Sequence, residues 1–131
     1  MSSSRRDFIT QLSAVVPSVA LGSIDNFTEK PMFIHHVYFW LKNPGSKEDT
    51  ARLLDGLRKL SKVSTIKTFH IGVPAATNRD VIDRSYAASW LAIFDDQPAQ
   101  DSYQKDPIHL KFVDECSSLW AKVIVYDSVD A

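Results

Sequence analysis

The stretch Phe33-Ile34-His35-His36-Val37-Tyr38-Phe39-Trp40-Leu41 decides how the rest of the chain is read. It is rich in aromatic and β-branched residues, long enough for a strand and too short for an ordinary helix. Successive side chains in a strand point to opposite faces. Phe33, His35, Val37, Phe39 and Leu41 therefore share one side, and Ile34, His36, Tyr38 and Trp40 the other. Both sides are bulky, so both are expected to be covered.

Working outward, Asn43-Pro44-Gly45 breaks the strand. Ser46 fits a helix N-cap, and Glu48 and Asp49 fall where the helix dipole favours acids. Leu53, Leu54, Leu57, Leu60 and Val63 then recur at helical spacing, with Arg52, Arg58, Lys59 and Lys62 mostly outside that stripe. The basic side reads as a solvated face. Residues 66–73 alternate again, with Phe69, Ile71 and Val73 opposite His70 and Gly72, until Pro74 opens a polar loop through Arg84. Residues 86–94 are predicted as a third strand with Tyr86, Ala88, Trp90, Ala92 and Phe94 on one side. A second helical region starts at Pro98 and restarts at Asp106-Pro107, because Asp caps helices and Pro is favoured in the first helical position. Ile108, Phe112, Val113, Cys116 and Leu119 form its apolar stripe, and residues 122–129 are a fourth strand.

The order strand, helix, strand, strand, helix, strand predicts an α+β, ferredoxin-like βαββαβ fold, a four-stranded antiparallel sheet with both helices on one face. The other face then exposes Tyr38 and Trp40, an apolar patch that a symmetric dimer would bury.

Composition excludes other classes. The chain has 131 residues, 44% hydrophobic, 24% charged and 11% aromatic, which suits one globular domain rather than disorder or coiled coil. A net charge of -1 without a dense basic patch lacks the signature of nucleic-acid binding. Cys116 stands alone, so no disulfide closes within one chain, and it reads as a small core residue.

At the front, Ser4-Arg5-Arg6-Asp7-Phe8-Ile9-Thr10 leads into an apolar run to Leu21 that is too short and too broken for a membrane span. Basic residues, then apolar ones, then small ones is the layout of an export signal. The stretch resembles a twin-arginine signal, with Thr10 departing from the frequent lysine. The expected organisation is a signal over residues 1–22, a linker over 23–32 and a domain over 33–129. That implies a periplasmic or otherwise exported protein. The alternative is a cytoplasmic protein with an amphipathic or disordered N-terminus.

Taken together, His35-x-Val37-x-Phe39-x-x-Lys42, Phe94-Asp95, Tyr103-x-x-x-Pro107-x-His109 and Asp127 resemble the stress-responsive dimeric α+β barrel (Dabb) family. The resemblance implies a homodimer with a barrel-like core. In some plant relatives, polyketide cyclases, a tyrosine and a histidine matching Tyr103 and His109 carry out an aldol condensation. On that pattern His109 is the general base and Tyr103 the hydrogen-bond donor of a cyclase or lyase. The start of a helix keeps such a histidine neutral. His35 comes from the strand floor on the helix-facing side, with Val37, Phe39, Trp90 and Trp120 as ligand-contacting walls. Asp127 can orient a histidine.

The plain alternative makes His109 a helix-start residue bonded to backbone, and Tyr103 a packing residue with its hydroxyl in water. Ala88 stands where the cyclases carry a further histidine, and Trp90 projects into the same space. A small, partly apolar ligand is therefore expected, or else a structural dimer with none. His35 and His36 point to opposite faces, and His36 meets His70 only if their strands are close, so neither metal nor cofactor is expected.

Overall fold

The computed structural model describes residues 31–131. The predicted export signal and all of the linker except Pro31 and Met32 lie outside the described residues. Strand β1 (Phe33–Leu41) is followed by helix α1 (Lys47–Leu60), strands β2 (Thr68–Gly72) and β3 (Ala88–Phe94), and helices α2 (Gln97–Lys105) and α3 (Pro107–Cys116). A 3-10 turn, Ser117–Leu119, leads into β4 (Trp120–Val129). The sheet order is β2-β3-β1-β4, and every pairing is antiparallel. This is the ferredoxin-like α+β arrangement, with the long first strand at its centre.

Burial along β1 alternates residue by residue. Phe33, His35, Val37, Phe39 and Leu41 are buried beneath the helices, while the other set is half-buried on the outer face. Leu53, Leu57 and Leu60 of α1, Trp90 and Phe94 of β3, and Phe112 of α3 join them in the core. Val63, just past the end of α1, is buried as well. Cys116 is a buried core residue, and burial pushes its thiol up from the ordinary value.

Local chemistry sets the helix starts. Gly45 takes a positive φ of 85° in the turn after β1, where a side chain would strain the backbone. The Ser46 hydroxyl then accepts from the Asp49 amide at 3.1 Å. Helix α2 starts at Gln97, one residue before the predicted Pro98, and the Asp96 carboxylate caps it by accepting from the Ala99 amide at 2.9 Å. Asp106 ends α2 in an extended conformation, as a residue before proline tends to. Its carboxylate accepts from the Ile108 amide at 2.8 Å, which starts α3.

Three strands differ from the sequence reading at their ends, the second being shorter, at Thr68–Gly72 rather than residues 66–73. The third strand begins at Ala88, not Tyr86, because its ladders to β1 and β2 end at Phe39↔Ala88 and Gly72↔Ser89. Tyr86 is therefore off the alternation and lies on the outer face, its ring 4.9 Å from that of Tyr38 and 6.4 Å from that of Trp40. The fourth strand begins two residues early, at Trp120, which pairs with Leu41 beyond a register shift.

Candidate functional site

The break at Asp106-Pro107 shapes the site. In an unbroken helix, residues six apart are separated by about 9 Å of rise and point in different directions. Here Tyr103 sits in the last turn of α2 and His109 in the first turn of α3, and their rings are 4.7 Å apart. The ring of His35, from β1 beneath them, lies edge-on to Tyr103 at 5.5 Å.

These three rings line a cavity of about 170 Å³ between sheet and helices. Val37, Phe39, Trp90 and Trp120 line it too, so every residue singled out from the sequence except Asp127 reaches it. Gln104, Phe112, Val123 and Val125 complete much of the wall. Phe112 was legible as part of the apolar helix stripe, whereas Val123 and Val125 were read only as part of the fourth strand. Gln104 gave no signal, because a polar helix residue reads as solvated.

Asp127 acts through His35. The register opposes the two residues across β4 and β1, and the His35 Nδ1–Asp127 Oδ1 distance is 2.6 Å. A carboxylate can only accept, so Nδ1 carries the hydrogen, and in the neutral ring Nε2 is left as an acceptor.

Tyr103 is almost fully buried, and its hydroxyl is not in water. The Trp90 indole Nε1–H donates to its oxygen at 3.0 Å. That bond leaves the phenolic hydrogen uncommitted among the described residues. Burial, opposed by the Trp90 bond, holds the Tyr103 pKa well above its usual value, so the hydroxyl remains a donor.

Burial also lowers the His109 pKa. A hydrogen bond from the ring to the Gln104 backbone opposes this shift, and His35 reinforces it. Among the described residues, His109 Nδ1 is buried with no hydrogen-bond partner. The expectation of a helix-start histidine bonded to backbone holds as far as the Gln104 contact.

On the outer face, His36 and His70 both sit opposite Leu91, so the whole of β3 separates them. Among the described residues no three metal-ligating side chains cluster. No described helix is long and apolar enough to cross a membrane.

An antiparallel ferredoxin-like sheet with a small aromatic cavity under its helix-covered face defines an α+β barrel-type domain. The chain belongs to the Dabb family, the Stress responsive A/B Barrel Domain, which it matches over residues 34–130. Among solved structures, a Dabb family protein with a ferredoxin-like fold from Mesorhizobium loti is 27% identical with a TM-score of 0.64, covering 77% of this chain and 98% of that one. The hydroxynitrile lyase from Passiflora edulis is 16% identical with a TM-score of 0.63, covering 76% and 94%. A dimeric ferredoxin-like protein of unknown function from Thermobifida fusca is 14% identical with a TM-score of 0.63, covering 78% and 93%. No curated protein matches the chain.

Proposed function

We propose that this chain is an exported, homodimeric protein that binds a small, partly apolar molecule in the cavity between β1 and the α2–α3 break. The observation that carries the reading is the union of apolar walls with a buried, unpartnered His109 Nδ1 in a space of about 170 Å³. A dry cavity of about 150 Å³ takes up benzene, so one ring is the natural size of the occupant. Trp90 fills the room that a long chain would need. Titration of labelled protein with phenol tests this, with saturable shifts expected at the Trp90 indole N–H and at His109. Absence of shifts at both, with the spectrum otherwise that of a folded protein, refutes it.

A lyase or cyclase reading is favoured by the 4.7 Å contact between Tyr103 and His109 and by the opposite directions of their pKa shifts. Near neutral pH His109 is unprotonated and can take a proton from the bound molecule, while Tyr103 donates to its oxygen. The Passiflora relative suggests a probe, the single-ring hydroxynitrile mandelonitrile. Loss of cleavage in His109→Ala with binding retained supports catalysis. No cleavage by the parent protein removes the lyase reading and leaves the binding one.

The dimer would form through the outer sheet face, where Tyr38 and Trp40 are half-buried and Tyr126 is 62% exposed. Sedimentation is the test: Trp40→Glu is expected to give monomers, and a monomeric parent at micromolar concentration refutes the dimer. Export is tested by fusing residues 1–30 to a reporter. Arg5→Lys/Arg6→Lys is expected to abolish it, and unchanged export sinks the twin-arginine reading.

A further inference from the structure

A second recess lies on the outer side of the helices, between α1 and α3. It measures about 420 Å³, within the range of about 300–1,000 Å³ typical of small-molecule sites, whereas the inner cavity falls below that range. Gly56, Ile108 and Phe112 give it an apolar floor. Arg58, Lys59 and Lys62 border it from the α1 side and Lys111 from α3, with Glu115 as the one lining carboxylate.

Arg58, Lys59 and Lys62 lie on the solvated face that the sequence predicts, and the fold brings Lys111 to the same apolar strip. A chain with a net charge of -1 thus places four cations against one carboxylate at one recess. Their existing partners are weak. Lys59 meets Asp55 at 3.5 Å and Lys111 meets Glu115 at 4.0 Å, both exposed i,i+4 pairs that stabilise little. Arg58 and Lys62 have no carboxylate within reach among the described residues. Gly56 lets α1 and α3 approach closely beneath the recess, because a Cβ there would lie 2.5 Å from Cys116 Sγ and 3.3 Å from the Phe112 ring.

We propose that this recess binds a free medium-chain carboxylate. The alkyl chain lies on Gly56, Ile108 and Phe112, and the head group is held by Lys62 and Lys111 with Lys59 and Arg58 nearby. Apolar floor and cationic rim together select an amphipathic anion over a neutral lipid or a small inorganic ion. A recess bordered by two helices suits a single chain from solution better than a flat bilayer surface. The site is independent of the proposed dimer, which uses the opposite face of the sheet.

Octanoate is the probe, titrated into labelled full-length protein at low and at physiological salt. Saturable amide shifts are expected at Gly56, Lys62 and Ile108, weakening as salt rises. Lys62→Gln/Lys111→Gln, two changes at the helix surface, is expected to weaken binding about tenfold, and 1-octanol to bind about tenfold more weakly than octanoate. The same spectra report whether the variant is folded. Equal binding of octanol and octanoate overturns the proposal, as does unchanged affinity in the variant. Shifts confined to Trp90 and Tyr103 also overturn it, by placing the probe in the inner cavity. Retention on anionic vesicles without any octanoate shift overturns it in favour of a membrane surface.

Discussion

Replacing Trp90 with phenylalanine tests whether the inner cavity is held by a polar bond or only by packing. Trp90 and Tyr103 are each 1% exposed, so neither partner of their 3.0 Å hydrogen bond has ready access to bulk water. In Trp90→Phe the Tyr103 hydroxyl loses its donor, and a buried unmet polar group costs about 1–3 kcal/mol. The smaller ring adds about 1–2 kcal/mol of lost packing, a fraction of the roughly 3–5 kcal/mol for truncating a buried aromatic to alanine. The sum is about 2–5 kcal/mol, large against a typical domain stability of about 5–15 kcal/mol. Tyr103→Phe alone strands the indole N–H at a similar cost of about 1–3 kcal/mol. The double variant strands neither group and loses mainly packing. Urea unfolding of all four proteins should therefore give a coupling of about 1–3 kcal/mol. Additivity within about 0.5 kcal/mol would refute the buried bond as a structural element.

Three further outcomes follow from particular contacts. Gly56→Ala gains roughly 1 kcal/mol of helix propensity but drives a methyl into Cys116 and the Phe112 ring, an overpacking cost of about 1–3 kcal/mol. Its urea midpoint should fall, and adding Cys116→Ala should restore it. Asp106→Ala removes the cap on the Ile108 amide and should cost about 1 kcal/mol, with the Tyr103 and His109 resonances moving as the break loosens. His36 and His109 are both held below the histidine value of 6.5, chiefly by burial, so the unfolded chain binds more protons than the folded one below that value. Stability is thus fully present above about pH 6.5 and is lost as pH falls through the lower folded values. The urea midpoint should drop between about pH 7.5 and about pH 5.5, and His109→Gln should flatten part of that slope.

What the sequence shows and hides divides along local and non-local physics. The alternation over residues 33–41 and the caps Ser46 and Asp106 depend on neighbours within a few positions, and they are read correctly. Tyr86 is misplaced because a strand ends where its partners' ladders end, which no run of alternating residues encodes. The early start at Trp120 has the same cause, since its partner Leu41 lies beyond a register shift. Asp127 suggested a histidine partner, but only the β1–β4 register picks His35, 92 positions away. The narrowing role of Trp90 was legible, whereas its bond to Tyr103 spans a loop and a helix turn and was not.

On the proposed binding reading, that bond narrows what the cavity can recognise. Trp90 occupies a lone pair of the Tyr103 oxygen, so the phenolic hydrogen is the part of the group left to offer, and a ligand must bring an acceptor to it. Neutral His109 has a buried, unpartnered nitrogen, and His35, held by Asp127, leaves Nε2 as an acceptor when its ring is neutral. A hydroxyl on a single ring can accept from Tyr103 and donate to an imidazole at once. An aldehyde can only accept, and benzene can do neither. Phenol should therefore bind more tightly than benzaldehyde, and benzaldehyde more tightly than benzene, when each is titrated against the Trp90 indole signal. Asp127→Asn should weaken only phenol if His35 is the nitrogen that accepts. Equal affinity of the three compounds would mean that the cavity selects by shape alone and that its polar groups take no part in recognition.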